Sequence, residues 1–396
     1  MAELNEQSPR VSVLALLWHS PHSAVTAGGF KRTYEIFKRI PPGAMVHAVD
    51  NGPSFLADIK GERLEVEEYR IPRLLRALER RFYRTERLTE RVLSFALMVI
   101  RSLELKRSGR DFDTVFVAYS EIFTMLAAGV VAKAIFKNRL VLTNHNIEHF
   151  NPLMRRLVVA MHKHADAVIA VSEDLKARLE GYGVRVQLVV NSNGLDTDYI
   201  GASLTGAPAQ KVYDGVFVGR HVPAKGIFDL VRAWGVVAES MPSAKLITLG
   251  SCDPGAMDGL QSLLADLGIS DLVTIRGIVD EDEKYRLIAG SRILLFPSYM
   301  EGWGLVPQEA LACGLPAVVY DLPVYAENIK PCEAVFAVPV GDYREMGLET
   351  VRLLRGDEYL ECASAGPRFV KRFDWGEIAD REFEVLSGRI PEGGTP

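Results

Sequence analysis

The chain has 396 residues, 48% of them hydrophobic and 24% charged, with four cysteines and a net charge of −5. That is enough apolar material for two globular domains, and it excludes a disordered chain. Cys252, Cys313, Cys332 and Cys362 stand far apart in no metal-like or disulfide-like spacing, which fits reduced thiols in a cytosolic protein.

The opening MAELNEQSPRVSVLALLW lacks a basic stretch followed by a sustained apolar core and a small-residue cleavage site, so no signal peptide is expected. No run of about 18 apolar residues suggests a membrane span. Charge is unevenly divided: up to Leu195 there are 28 Lys+Arg against 21 Asp+Glu, and beyond it 18 against 30. A basic first half and an acidic second half imply different partners.

In chain order, Val11–Leu17 predicts the first strand. Gly28 and Gly29 then precede an amphipathic helix carrying Tyr34, Ile36 and Phe37, and Val46–Val49 reads as the next strand. From Arg70 to Arg110 there are twelve Lys or Arg and four acidic residues. Leu74, Leu78 and Phe82 recur at helical spacing there, with Arg73, Arg76, Arg80, Arg81, Arg84 and Arg87 largely around the other faces. An ordinary solvated surface helix fits this pattern. So does a basic amphipathic segment on an anionic leaflet, each basic side chain contributing about 1 kcal/mol near the surface.

Strands Thr114–Ala118, Leu140–Thr143, Ala167–Val171 and Gln187–Val190 follow, alternating with helices over about 122–136, about 152–163 and after the N-cap Ser172. The small, polar GASLTGAPAQ over 201–210 marks a boundary, giving a first domain over 1–205 and a second over 206–374. The second opens on strand Asp214–Val218. It continues through Ala244–Leu249, a helix through Leu260–Leu267, Val273–Ile275 and a helix over Glu281–Ala289. Strands alternating with helices in both halves predict two doubly wound α/β domains with a cleft between them.

The most informative stretch is FPSYMEGWGLVPQEALACGLPAVVYD, 296–321. An apolar run, Ile293–Phe296, stops at Pro297; Pro307 opens a helix, Gly314 ends it, and Ala317–Tyr320 reads as a strand. Gly302 and Gly304 allow close backbone approach, and the helix start favours a phosphate. Glu301 lies in the loop and Glu309 is expected in the first helical turn, so both carboxylates are expected to face one crevice. Arg220 and Lys225 follow strand Asp214–Val218, with Gly226 before the next helix. An Arg fork holds two phosphate oxygens, and a Lys adds a mobile point charge.

HNIEH over 145–149 fits H-x-x-E-H, a zinc motif of metallopeptidases that needs His145 and His149 on consecutive helical turns. Here the pair follows a β run and precedes Asn151-Pro152, where helical backbone is disfavoured. Stoichiometric zinc in purified protein would favour that reading.

The spacing E-x₇-E within PSYMEGWGLVPQEALACGLP resembles the signature of retaining glycosyltransferases of the GT-B fold, in particular glycosyltransferase family 4. The resemblance places Glu301 beside the donor sugar and Glu309 on the ribose hydroxyls of the nucleotide. FVGRHVPAKG resembles the family's F-V-G-R-x₄-K-G loop, which implies that Arg220 and Lys225 hold the diphosphate. Gly28 and Gly29 resemble its N-terminal glycine loop, and His145 matches the first-domain His directed at the donor sugar. Asn193-Gly194-Leu195-Asp196 resembles the N-G-V-D turn before the interdomain linker.

By the same resemblance, Arg276-Gly277-Ile278 lies where the family's backbone holds the base. Glu301-Gly302-Trp303-Gly304-Leu305 lies where backbone N–H groups meet sugar and phosphate, with Trp303 in place of the commoner Phe. A C-terminal helix, about 375–390, resembles the GT-B helix that returns to the first domain. Ser291-Arg292 departs from the usual Ala-Asp. The likeness is closest from Val216 to Asp321.

What the resemblance implies is transfer of a hexose, with retention, from GDP-mannose or a UDP-sugar to a glycan, lipid-linked at the cytoplasmic membrane face. The nucleotide sugar is a co-substrate, no metal or other cofactor is required, and nucleic acid is not a partner. A soluble sugar or sugar phosphate is the alternative acceptor, and a non-catalytic nucleotide-sugar-binding protein the alternative of another class. The implied location is cytoplasmic, at most peripheral on the inner face.

Overall fold

A computed structural model of the chain describes residues 11–18, 28–50, 54–68, 86–147, 152–205, 211–252, 254–356 and 358–389. They form two compact units: the described residues up to Gly194 with those from Trp375 on, and Leu195–Asp374.

In the first unit, strands β1 (Val11–Leu17), β2 (Ala44–Asp50), β3 (Leu64–Glu68), β4 (Thr114–Val117), β5 (Arg139–Asn144), β6 (Ala167–Ala170) and β7 (Gln187–Val190) make one sheet. Its order is β3-β2-β1-β4-β5-β6-β7, parallel throughout. A strand's side chains alternate between faces, and β1 shows the consequence. Val13, Ala15 and Leu17 join the core under the Gly28–Lys38 helix, with Phe30, Ile36 and Phe37. Leu14 and Leu16 join the opposite core, under the Glu86–Arg107 and Phe123–Phe136 helices. Helices therefore cover both faces, as the apolar runs require.

The second unit repeats the plan with β8 (Tyr213–Val218), β9 (Leu246–Leu249), β10 (Val273–Gly277), β11 (Ser291–Phe296), β12 (Ala317–Tyr320) and β13 (Val335–Val338). The order is β10-β9-β8-β11-β12-β13, again parallel. Both sheets are doubly wound, as the alternating pattern predicts.

The division falls at Gly194/Leu195 rather than within 201–210. Part of the expected linker is the Thr197–Ser203 helix, capped by Asp196 through the Tyr199 N–H. Tyr199 and Ser203 both donate to Asp282 Oδ1, at 2.8 and 2.7 Å, and Ile200 is buried in the second core. Small residues read locally as flexible are held by a residue some eighty positions away. Residues 206–210 lie outside the described part.

The Trp375–Leu386 helix completes the first unit. Trp375 covers Gly194, where a Cβ would come within 2.6 Å of the indole. Glu382 is fully buried, and both its oxygens are used. Oε1 accepts from Arg32 Nη1 at 3.0 Å, and Oε2 from Arg32 Nη2 at 2.8 Å and Asn191 Nδ2 at 2.7 Å. Arg32 Nη2 also donates to the Asn191 carbonyl at 3.1 Å.

Breaking one side of such a pair strands a buried charge, at a cost of about 3–5 kcal/mol, whereas replacing both partners by apolar side chains is far milder. Glu382→Ala should therefore lower the thermal midpoint sharply, and Arg32→Met with Glu382→Leu should recover most of the loss. Calorimetric melts of the single and double variants check this.

Candidate active site

The strand order of the second sheet reverses between β8 and β11, which pair with Gly215 opposite Ile293 and Val216 opposite Leu294. The loops leaving the carboxyl ends of two such strands diverge, and that is where open α/β sheets bind ligands. The β8 loop carries Arg220, a short turn Pro223–Lys225 and Gly226, then the Ile227–Ser240 helix. The β11 loop carries Pro297 to Gly304, then the Leu305–Ala312 helix.

The two loops are locked together. Tyr299 N donates to Ala224 O at 3.1 Å. Gly226 adopts φ +69°, and a Cβ there would lie 1.9 Å from the Pro297 carbonyl oxygen, so only glycine fits. Lys225 Nζ consequently reaches Glu301 Oε1 at 2.5 Å. Both side chains are mostly covered, 22% and 12% exposed.

The far end of the β11 loop rests on the Tyr325–Asn328 turn. Gly304 has φ +92° and its backbone packs on Tyr325, a Cβ there being 2.6 Å from the ring. Trp303 is buried; its Nε1 donates to Gln308 Oε1 at 2.9 Å, and Asn328 Nδ2 donates to the Trp303 carbonyl. The loop that presents Gly302, Gly304 and Leu305 is thus rigidly floored.

The helix starts at Leu305, not Pro307. Pro307 sits third, where its missing N–H forfeits nothing because the first four helical N–H groups lack intrahelical partners. Glu309 therefore belongs to the second turn rather than the first, and it is held by other residues than Glu301. Its Oε1 accepts from Lys284 Nζ at 3.0 Å and Tyr285 OH at 3.2 Å, both on the Glu281–Ala289 helix. Lys284 and Tyr285 are site neighbours that sequence reading missed, because EDEKYRL looks like a solvated helix face.

Arg220 is exposed, and among the described residues it makes no ion pair. Arg276 and Gly277 end β10 and Ile278 follows it, two strands from β8 on the same carboxyl edge. Arg276 is paired with Glu283 at 2.9 Å, and Ile278 is 66% exposed. Ser291 is buried, and Arg292 braces the sheet by pairing with Asp214 at 3.1 Å and donating to the Leu354 carbonyl at 2.7 Å.

The first sheet reverses between β1 and β4, and a second cluster gathers there. Gly28 and Gly29 are the first residues of the Gly28–Lys38 helix; the residues before them, 19–27, lie outside the described part. A Cβ on Gly29 would sit 2.9 Å from the Tyr119 ring and 3.4 Å from His145, so the glycine lets the backbone meet both. His145 follows β5 directly and is not helical; Glu148 and His149 of the zinc pattern lie outside the described residues.

His145 Nε2 is 3.1 Å from the Ala118 carbonyl, which can only accept, so Nε2 carries the proton and Nδ1 is left as an acceptor. Burial, with the Arg32 charge second, pushes the imidazole down to about 3. Glu121, beyond the end of β4, accepts from His145 N at 3.4 Å, and burial pushes its carboxyl up to about 8. Tyr119 and Glu121 gave no signal in the sequence, since a single acid after a strand has no pattern.

In the 70–110 segment, residues 70–85 lie outside the described part. Of the rest, Arg101 pairs with Glu67 and Glu104, Lys106 with Asp111 and Arg110 with Glu65. Much of that basic charge is neutralised locally. Among the described residues no helix is long and apolar enough to cross a membrane.

The family models that match the chain meet between residues 199 and 207, a few residues after the Gly194/Leu195 division and at the boundary expected from sequence. The family model "Glycosyltransferase Family 4" matches residues 53–199, and "Glycosyl transferases group 1" matches residues 207–363. A phosphatidyl-myo-inositol mannosyltransferase of Mycobacterium leprae is 29% identical over 57% of this chain and 59% of its own length. A D-inositol 3-phosphate glycosyltransferase of Mycobacteroides abscessus is 33% identical over 43% of this chain and 38% of its own. The matched stretches thus span from about two fifths to three fifths of these relatives.

Among solved structures, Anabaena HepE in complex with UDP and glucose superposes with a TM-score of 0.75 at 20% identity, covering 96% of this chain and 100% of that one. A trehalose-6-phosphate structure from E. coli bound with UDP-2-fluoro glucose gives 0.72 at 12% identity, with 96% and 100% covered. At these identities the likeness is one of fold.

The Glu121 carboxyl gives a pH signature. Folding raises its pKa from 4.5 to about 8, so its contribution to stability is fully present below 4.5 and is lost as pH rises through 8. Glu121→Gln mimics the protonated form and removes that slope. Melts at pH 6.5 and 9 should show the variant gaining on the wild type as pH rises; parallel curves would contradict the assignment.

Proposed function

The chain belongs to the glycosyltransferases, family 4 in its first half and group 1 in its second, on the GT-B fold, and from that premise we propose that it moves a hexose, with retention, from a nucleotide-diphosphate sugar to a glycan acceptor. The observation that carries the reading is the Lys225–Glu301 contact at the β8/β11 reversal. A cation suited to a leaving diphosphate and a carboxylate suited to a sugar lie there within one hydrogen bond of each other, which supports the reading.

Bond cleavage between the anomeric carbon and the diphosphate leaves positive character on the sugar and negative charge on the phosphate. Lys225 and Arg220 stabilise the latter, together with the backbone N–H groups at the start of the Leu305–Ala312 helix. Entry of the diphosphate draws Lys225 away from Glu301, whose carboxylate then faces the sugar. Glu309, steadied by Lys284 and Tyr285, takes the ribose hydroxyls, and Arg276-Gly277-Ile278 the base. The leaving phosphate accepts the acceptor's proton, and no metal takes part. His145, neutral and with Nδ1 as acceptor, hydrogen-bonds a sugar hydroxyl.

UDP-sugars and GDP-mannose are the candidate donors. The complexes of HepE and the E. coli protein support the first, and the mannosyltransferase relative the second. For the acceptor, the lipid-linked reading is supported by the phosphatidyl-myo-inositol in the name of the M. leprae relative and by the basic first half. A soluble sugar phosphate is supported by the name of the M. abscessus relative and by the pairing of Arg101, Lys106 and Arg110 with acids.

A thermal-shift panel of UDP-glucose, GDP-mannose, UDP and GDP identifies the donor, since binding to the folded state raises the midpoint. With the donor found, Lys225→Ala and Glu301→Ala should each cut its consumption by on the order of 10²- to 10³-fold while the fold is kept. Near-normal turnover in either variant would refute the site. Flotation with phosphatidylglycerol vesicles separates the acceptor readings: co-flotation is expected for the lipid-linked one, and its absence assigns the soluble one.

A further inference from the structure

Asp229 lies one helical turn beyond Lys225, in the first turn of the Ile227–Ser240 helix, and is only 7% exposed. Its carboxylate is fully engaged. Oδ2 accepts from both Tyr299 OH and Tyr320 OH, the latter at 2.8 Å, and Oδ1 accepts from Arg232 Nη1 at 3.0 Å. These partners come from different segments. Tyr299 is in the β11 loop, two residues before Glu301; Tyr320 is the buried last residue of β12; Arg232 is one turn along the same helix. The two phenol rings meet edge to face at 5.5 Å.

Tyr299 is 43% exposed, so apolar burial alone does not hold it. What holds it is a charge-assisted bond to Asp229 at one end and its backbone bond to Ala224 at the other. The bond to Asp229 is also the first cause of the raised Tyr299 hydroxyl pKa.

We propose that Asp229 is a positioning residue: through Tyr299 it fixes the loop that carries Glu301 against the turn that carries Lys225. Neither Asp229 nor Tyr299 touches the proposed donor groups, and the role assigned rests on Lys225 and Glu301 being that pair. Tyr320 anchors the carboxylate to the sheet and, among the described residues, makes no hydrogen bond to the loop backbone, whereas Tyr299 belongs to the loop, so the two tyrosines should separate in experiment. An asparagine at 229 keeps the shape, loses the charge, and turns an N–H₂ group towards groups that need an acceptor.

Hydrogen–deuterium exchange of residues 297–304 reads the positioning without reference to catalysis. Asp229→Asn and Tyr299→Phe should each speed exchange there by about tenfold, with exchange in β8 and β12 unchanged. Tyr320→Phe should lower the thermal midpoint and leave loop exchange within about twofold of the wild type. With UDP-glucose or GDP-mannose as donor, Asp229→Asn and Tyr299→Phe should lower kcat at least about tenfold while UDP or GDP affinity stays within about threefold, the base and ribose contacts being elsewhere.

Unchanged exchange at 297–304 in Tyr299→Phe overturns the proposal, as does a kcat loss that merely follows the loss of thermal midpoint across all three variants. A wild type that consumes neither donor counts against the glycosyltransferase reading, and the exchange data then still decide the role of Asp229.

Discussion

Two parallel strands, β8 and β11, lie side by side where their sheet reverses its order, and the chain leaving one must pass against the chain leaving the other. The Lys225–Glu301 end of the candidate site follows from that crowding. Gly226 has no side chain because the Pro297 carbonyl occupies the place of its Cβ, and the approach this allows brings Lys225 onto Glu301. The ion pair is therefore a result of backbone packing rather than its cause. Both side chains are mostly covered, and the desolvation this requires offsets much of their attraction. The pair thus holds both groups side by side at the strand ends without a large net stabilisation to lock them there.

The same reversal occurs in the first sheet between β1 and β4, with a different chemical outcome. Gly29, Tyr119, Glu121 and His145 gather there, and at neutral pH none of them is charged. Burial is the main cause for all three titrating groups, and it acts against the charged form of each. One fold plan thus produces an ionic cluster in the acidic unit and a neutral hydrogen-bonding cluster in the basic unit. The first suits a diphosphate, and the second suits hydroxyls.

Strand positions were legible because fully buried parallel strands leave unbroken apolar runs such as VSVLALL and ILLF, and the turns at Gly226 and Gly304 because only glycine fits them. Lys225 and Glu301 were legible as residue types in a pattern, though not as a contact. What escaped depends on distant partners. The start of the 201–210 stretch reads as linker but ends a helix that Asp282 holds, and the charged 281–289 helix hides the Lys284 and Tyr285 that hold Glu309. Arg292 looked out of place and proves to be a brace to Asp214. The helix boundary at Leu305 was misplaced because Pro is tolerated anywhere in a first turn, so it marks the turn and not the residue.

The longest-range dependence concerns the end of the chain. Arg32 sits one turn beyond Gly29, and its positive charge is the second cause of the low proton affinity of His145. A guanidinium buried at that depth needs a carboxylate, and among the described residues the one paired with it is Glu382, 350 residues later. The Trp375–Leu386 helix therefore does more than cover the apolar face of β1. It makes a buried Arg32 tolerable, and Arg32 in turn helps keep His145 neutral, with its proton on the nitrogen that faces Ala118. Burial remains the first cause of the low proton affinity of His145, and the helix adds to it only through the Arg32 it accommodates.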